Sequence, residues 1–282
     1  MVSNMSYKIV VDSCCELPEQ YKKDARFERV PLGLEVGDDQ ILDDENFNQK
    51  EFLAKVAACP TCPKSSCPSP ERFVEAYHCD ADNIYVVTLS SHLSGSYNSA
   101  ELGKKLYHET YGDKNIYVCD SESASCGETQ LALKAMELEE KGCSFEEIVK
   151  QLEAFRDDMR TLFVLDNLET LRKNGRLTGV KAFVATTLNV KPLMTEDGGV
   201  IIQKSQAIGS KKALAKLAEA VIKEAVNPAE KVLMITHCNC PERAEAVKNM
   251  ILDKLNVKDV LIMDTAGISS MYANDGGVIV TI

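Results

Sequence analysis

No stretch of this sequence approaches the ~18 consecutive apolar residues that a membrane-spanning helix needs, so no stable membrane insertion is expected. Positive charge is scarce. Lys and Arg number 32 against 43 Asp and Glu, a formal net charge of -11. That field repels nucleic-acid phosphates and anionic lipid surfaces alike, which excludes a nucleic-acid partner. An anionic ligand would have to be held by local donors working against it. The phosphate-loop pattern G-x-x-x-x-G-K-[ST] does not occur, and neither does the dinucleotide fingerprint G-x-G-x-x-G, so a Rossmann oxidoreductase loses its main support. Only four histidines are present: His78, His92, His108 and His237. The opening Met1-Val-Ser-Asn-Met-Ser lacks the basic and apolar regions of a secretory leader, so a cytoplasmic location is expected.

Eleven cysteines invite a metal or redox reading that their spacing does not sustain. A chain this long needs no staples. Cys59-Pro-Thr-Cys62 has the gap of a redox or zinc pair, with Cys67 and Cys79 nearby. A thioredoxin-type pair, however, sits between a strand and a helix start, whereas Cys59 follows an amphipathic run at 47–58. No second zinc pair accompanies it: Cys238-Asn-Cys240 has the wrong gap and Cys14-Cys15 are adjacent. The expectation is no metal and no cofactor, with a cysteine-based redox or metal protein kept as an alternative.

With 282 residues, 45% of them hydrophobic, the chain can build one large or two medium domains. Its first half alternates strand and helix signals. Apolar β-type runs at 7–11, 27–36, 84–89 and 116–119 alternate with helical patterns at 47–58, from Pro70, at 96–107 and at 126–141. Ser144-Phe-Glu-Glu147 is a capping box opening a helix to about Met159. Residues 60–70, rich in Pro and Ser, read as a loop. Such alternation predicts a mostly parallel sheet flanked by helices, with ligands beyond the carboxyl ends of its strands. The second half carries strand runs at 162–165, 190–195, 200–207, 232–236, 260–264 and 278–282. A hairpin turn falls at Asp197-Gly-Gly199, and helices at about 210–226 and 241–255. The predicted organisation is α/β at residues 1–164 and an α+β domain with a mixed sheet at 165–282.

The most informative stretch is Ser90-Ser-His-Leu-Ser-Gly-Ser-Tyr-Asn-Ser-Ala100, which packs five serines between a strand and the helix after Gly95. Hydroxyls and the free N–H groups of a helix start can hold an anion without a basic side chain. The alternative is that Ser94 is simply the cap of a helix from Ser96, which is compatible with anion binding because both use donors at one helix start. A serine nucleophile with His92 as base is the enzymatic alternative, a serine-dependent acyl hydrolase. The nucleophile elbow G-x-S-x-G is absent, because His92 and Ser96 occupy its glycine positions. Asp12-Ser13 and Asp120-Ser121 lie at two further strand ends and converge on the same place. Ser65 and Ser66 can close over the same ligand head. Arg172 and Arg176, flanking Gly175 in a basic turn, are candidates for docking an anionic ligand or a partner.

Those positions, taken in order, resemble the DegV family of bacterial fatty-acid-binding proteins over nearly the whole chain. Val11-Asp12-Ser13 matches the family's V-D-S strand end. Pro63-Lys-Ser-Ser-Cys-Pro-Ser69 matches its P-K-T-S-Q-P-S loop. Leu89 to Ala100 matches L-S-S-x-L-S-G-T-Y-N-S-A, with Ser96 in place of Thr. Asp120-Ser121 and Gly127-Glu128 fit the next block, Leu171–Leu177 the L-R-K-G-G-R turn, and Val190-Lys-Pro-Leu193 the start of the second sheet. The resemblance implies a long-chain fatty acid buried between two domains, with its carboxylate at Ser65, Ser94 and the Gly95 N–H. Ser13, Ser66, Ser121 and Tyr272 are supporting positions. It also implies a carrier without catalysis of its own, presenting the acid to a separate fatty acid kinase for phospholipid synthesis. Family members often carry H-x-G-P-G near the C-terminus. Here that segment reads Tyr272-Ala-Asn-Asp-Gly276, so Tyr stands for His.

Overall fold

The computed structural model describes residues 7–177 and 189–282; the opening segment Met1–Ser6, read above for a leader, lies outside them. Along the first half run β1 (Tyr7–Asp12), β2 (Phe27–Val30), β3 (Gly33–Val36), β4 (Asp39–Leu42), α1 (Gln49–Ala58) and β5 (Lys64–Ser66). After them come α2 (Pro70–Tyr77), β6 (Asn83–Thr88), α3 (Ser96–Tyr111), β7 (Asn115–Asp120), α4 (Cys126–Glu140) and α5 (Phe145–Asp158). Four strands form an all-parallel sheet in the order β2-β1-β6-β7. Its central strands are continuous apolar runs because both faces are covered. Val10, Ile84 and Val86 point to one face, where Phe73 and Tyr77 of α2 and Ala100 of α3 meet them. Ile9, Val11, Tyr85 and Val87 point to the other, against Leu131 of α4 and Ile148 of α5. The predicted capping box at Ser144 and Glu147 starts α5.

The second half contains β8 (Thr161–Val164), α6 (Glu169–Lys173), β9 (Val190–Asp197), β10 (Val200–Ile208), α7 (Ser210–Glu224) and β11 (Val232–His237). It continues with α8 (Pro241–Leu252), β12 (Asp259–Asp264), α9 (Gly267–Ala273) and β13 (Val278–Thr281). Its six strands make a mixed sheet in the order β10-β9-β8-β13-β11-β12. One face is sealed by α7 and α8, through side chains such as Leu217, Val221, Val247 and Ile251. The opposite face, with Phe163, Leu165, Met194 and Ile201, turns toward the first half. A small antiparallel sheet, β4-β3-β5, packs with α1 and α9 through Leu34, Phe52, Ile268 and Met271.

The expected α/β architecture with a parallel first sheet and a mixed second sheet is the one observed. Four local expectations need correction. The run at 27–36 splits at Pro31, which has no N–H for a ladder, and its halves join different sheets. The loop at 60–70 contains β5, whose Ser65 and Ser66 pair with Leu34 and Gly33. The basic turn at 171–177 begins as the end of α6, and Gly175 (φ +75°) releases the chain from it. The strand read at 162–165 is β8, which starts one residue earlier at Thr161 and hydrogen-bonds into the second sheet.

Candidate functional site

The carboxyl ends of β1, β6 and β7 are bound to each other by two buried or half-buried aspartates. Asp12 accepts from Cys14 N (3.0 Å), Leu89 N (2.9 Å) and Ser96 Oγ (2.6 Å). Asp120 accepts from Ser91 N (3.0 Å) and Glu122 N (3.2 Å), and Ser90 N donates to Ser123 O (2.9 Å). The three strand-end loops therefore do converge, as the sequence suggests. Above them lies the inner face of the second sheet, and between the two is a narrow, predominantly apolar cavity. It encloses about 710 Å³ of atom-free space, its solvent mouth included. Leu89 and Ala124 contribute from the first half, Phe163, Ile201 and Ile279 from the second, and Ile268 from α9.

One end of the cavity is polar in a way that suits a carboxylate. Ser65 Oγ lies 2.9 Å from the Tyr272 hydroxyl, which joins β5 to α9. Burial pushes the Tyr272 phenol up, against the opposing influence of Ser65 and the Arg176 charge, so it stays a neutral hydroxyl near pH 7. The Arg176 guanidinium sits over the Tyr272 ring, 5.7 Å from its centroid, and is fixed by donating to Leu93 O (3.0 Å) and Asn174 O (2.6 Å). Ser94 Oγ accepts from Ser96 N (3.2 Å), while Gly95 is the cap residue of α3. A Cβ on Gly95 would come within 2.9 Å of Cys67 Sγ, so the loop after β5 presses directly on the helix start. Gly at 95 permits that approach.

The predicted residues divide accordingly. Tyr272 and Arg176 line the cavity, and Ser65 reaches it through Tyr272. Ser94 and Gly95 stand at the α3 start beside Leu93, which lines it too. Ser13 is buried and accepts from Leu32 N (3.0 Å), anchoring the chain where it leaves β2. Ser121 donates to Ser123 O (3.1 Å) and accepts from Ser123 N (3.0 Å), folding its own loop. Ser66 is exposed and faces Gly33. These three do not line the cavity. Arg172 is exposed and paired with Glu169 at 2.8 Å, so the two arginines of the basic turn have different surroundings.

Sequence reasoning missed Ser123, Ser125 and Ser269, which do line the cavity. Ser123 Oγ meets Thr161 Oγ1 at 2.7 Å, and Ser125 Oγ meets Thr236 Oγ1 at 2.7 Å, so both serines tie the first half to the second sheet. Ser125 also donates to Glu16 (2.6 Å), whose other oxygen accepts from Ala266 N (3.0 Å) ahead of α9. Burial raises the Glu16 carboxyl to about 7, although Ser125, Ser269 and Ala266 all donate to it, and the nearby Asp43 charge adds to the rise. Asp43 in turn accepts from Gly267 N (2.8 Å) and Ile268 N (2.9 Å), holding the start of α9 from the first half. For Ser123 and Ser125 the signal was their place just beyond the Asp120-Ser121 motif; Ser269, inside α9, carried none.

The family model described as "Uncharacterised protein, DegV family" matches residues 6–281. The chain belongs to the DegV family. A "DegV domain-containing protein" of Streptococcus gordonii is 35% identical over 279 residues, covering 98% of both chains. Among solved DegV structures, one from Ruminococcus gnavus, described with vaccenic acid, superposes with a TM-score of 0.97 at 53% identity, over 99% of this chain and 100% of that one. The Streptococcus pneumoniae Fatty Acid Kinase (Fak) B3 protein loaded with linoleic acid gives 0.87 at 31% identity, over 98% and 99%. Ser94 Oγ is bonded to a backbone N–H and to no histidine among the described residues, and His92 is exposed. Among those residues no group of three or more His, Cys, Asp or Glu side chains could hold a metal ion, and the cysteines are all free.

Proposed function

We propose that this protein is a non-catalytic carrier that buries a long-chain fatty acid and presents its carboxylate to a fatty acid kinase. The observation that carries the reading is the apolar cavity between the two sheets, closed at one end by the Ser65–Tyr272 hydroxyl pair and Arg176. Solved relatives with vaccenic, linoleic and heptadecanoic acid support it. At ~0.8 kcal/mol per buried CH₂, a sixteen-carbon tail such as palmitate's gains on the order of 10 kcal/mol gross. The tail thus supplies the affinity and the head contacts supply orientation.

In this reading residues 1–164 supply the head-group loops with Ser65, Ser94 and the Gly95 N–H, and residues 165–282 supply most of the apolar wall. Ser13, Ser66 and Ser121 become structural supports, and Arg176 joins the head-group end. Arg172, exposed next to that end, is the basic group available to the kinase. The reading places the protein in the cytoplasm, where free cysteines persist. The test is titration of delipidated protein with palmitate, comparing wild type with Ser65→Ala and Ser94→Ala. A hydrogen bond to a carboxylate contributes about 1.5–3 kcal/mol, so each variant should bind roughly 10- to 100-fold more weakly with its fold unchanged. Wild-type affinity in both variants would overturn the head-group assignment.

A further inference from the structure

The cavity has a second polar stretch of wall, at the tip of the β9–β10 hairpin. β8 and the residue after it line the cavity with Leu165, Phe163 and Thr161 in turn, Thr161 standing about 13 Å from Leu165 over four strand steps. Around Thr161 the wall changes character. Glu196 of β9 and Glu122 of the loop after β7 both line it, with Gly199 between them at the tip of the β9–β10 hairpin. The tip itself is closely packed. Ser90 Oγ donates to Gly199 O (2.8 Å), and a Cβ on Gly199 would fall 2.5 Å from Ser90 Oγ and 3.1 Å from Glu122 Cα. The neighbouring hydroxyls of Ser123 and Thr161 satisfy each other at 2.7 Å. Glu122 faces Arg156 at 3.5 Å. Glu196 is half-buried, and burial raises its carboxyl, while the Gly199 N–H and Arg160 oppose the rise.

We propose that Glu196 sets the upper length of the hydrocarbon tail this cavity accepts and tolerates a longer acid when its far end carries a hydroxyl. The inference rests on the fatty-acid reading above. Along Phe163, Ile268 and Ile279 each added methylene meets apolar wall and improves binding about fourfold. Once the tail reaches Thr161, the next methylene displaces water from a carboxyl group and returns no hydrogen bond to it. A terminal hydroxyl restores that bond, because a carboxylate accepts it.

Delipidated wild type, Glu196→Leu and Glu196→Gln would be titrated with saturated acids of twelve to twenty carbons and with hexadecanoic acid bearing a terminal hydroxyl. For wild type, the roughly fifteenfold gain per two carbons should fall below twofold past one length, whereas Glu196→Leu should carry that gain to a greater length before it stops. The preference for the hydroxylated over the plain sixteen-carbon acid should drop at least tenfold in the Leu variant. Gln keeps the size of the side chain and an acceptor for the Gly199 N–H, so it guards against a hairpin that fails to fold. Its hydroxyl preference should drop severalfold. Identical length profiles and hydroxyl preferences in all three proteins would overturn the proposal and leave fatty-acid binding standing. Failure of wild type to bind any acid would overturn both.

Discussion

Replacing Glu16 by Gln tests the charge state of the joint between the two halves. The carboxyl has a 5% exposed side chain around it and accepts from Ser125 Oγ and Ala266 N. It ionises at 4.5 when unfolded and at about 7 when folded, because burial disfavours the charge more than the three donors favour it. At 1.36 kcal/mol per pH unit this difference amounts to about 3 kcal/mol. The folded pKa is the higher one, so the stabilisation is complete below pH 4.5 and is lost as pH rises through 7. Between those values the unfolded state has released a proton that the folded state retains, and stability must decline with pH. Gln cannot ionise and keeps an acceptor for Ala266 N–H. Urea unfolding at pH 5, 6, 7 and 8 should therefore show the variant gaining on wild type as pH rises, approaching 3 kcal/mol at pH 8. Asp12, which burial also raises, is present in both proteins and cancels in the difference, whereas Asp43 and Glu128 are coupled to the Glu16 charge and titrate more easily once it is gone. A difference that is flat in pH, or that shrinks as pH rises, would refute the reasoning.

Gly199→Ala forces a side chain into a backbone at φ +80° and against Ser90 and Glu122. It should lower stability by about 2–3 kcal/mol and raise hydrogen exchange at the hairpin tip; an unchanged denaturation midpoint would contradict the close packing there. Asp43→Ala removes the acceptor of two N–H groups at the α9 start, at a cost of about 2 kcal/mol. Because α9 carries Tyr272, palmitate affinity should fall with it, and a variant matching wild type in both melting and titration would rule out that role for Asp43.

The parallel sheet was legible because burial on both faces writes itself as uninterrupted runs such as Ile9-Val-Val11 and Ile84-Tyr-Val-Val87. The Asp197-Gly-Gly199 hairpin was legible because both glycines take positive φ in the turn. By contrast, α9 has seven residues and a buried pattern with no polar face, so it shows no helical period. β5 is three residues long inside a segment whose prolines say loop, and only its partner β3 makes it a strand. At the site, the sequence marked the loops and not the atoms. Ser13 and Ser121 look like Ser123 and Ser125 in sequence. Which serine faces the cavity depends on the Asp12 and Asp120 hydrogen bonds, which join residues far apart along the chain.

The place of β13 in the second sheet orders the assembly of the molecule. The parallel sheet has all its strands by Asp120 and its covering helices by Asp158, so the first half can close its core without any strand of the second sheet. β8 lies between β9 and β13, and the Phe163↔Ile279 and Val164↔Val278 pairs bridge more than a hundred residues of chain. Pairings of such separation form slowly, since the loop entropy is lost before any contact repays it. Phe163 and Ile279 are also two walls of the cavity. The pocket is therefore a late product of folding, and binding competence in a refolding experiment reports closure of the second sheet rather than formation of the first.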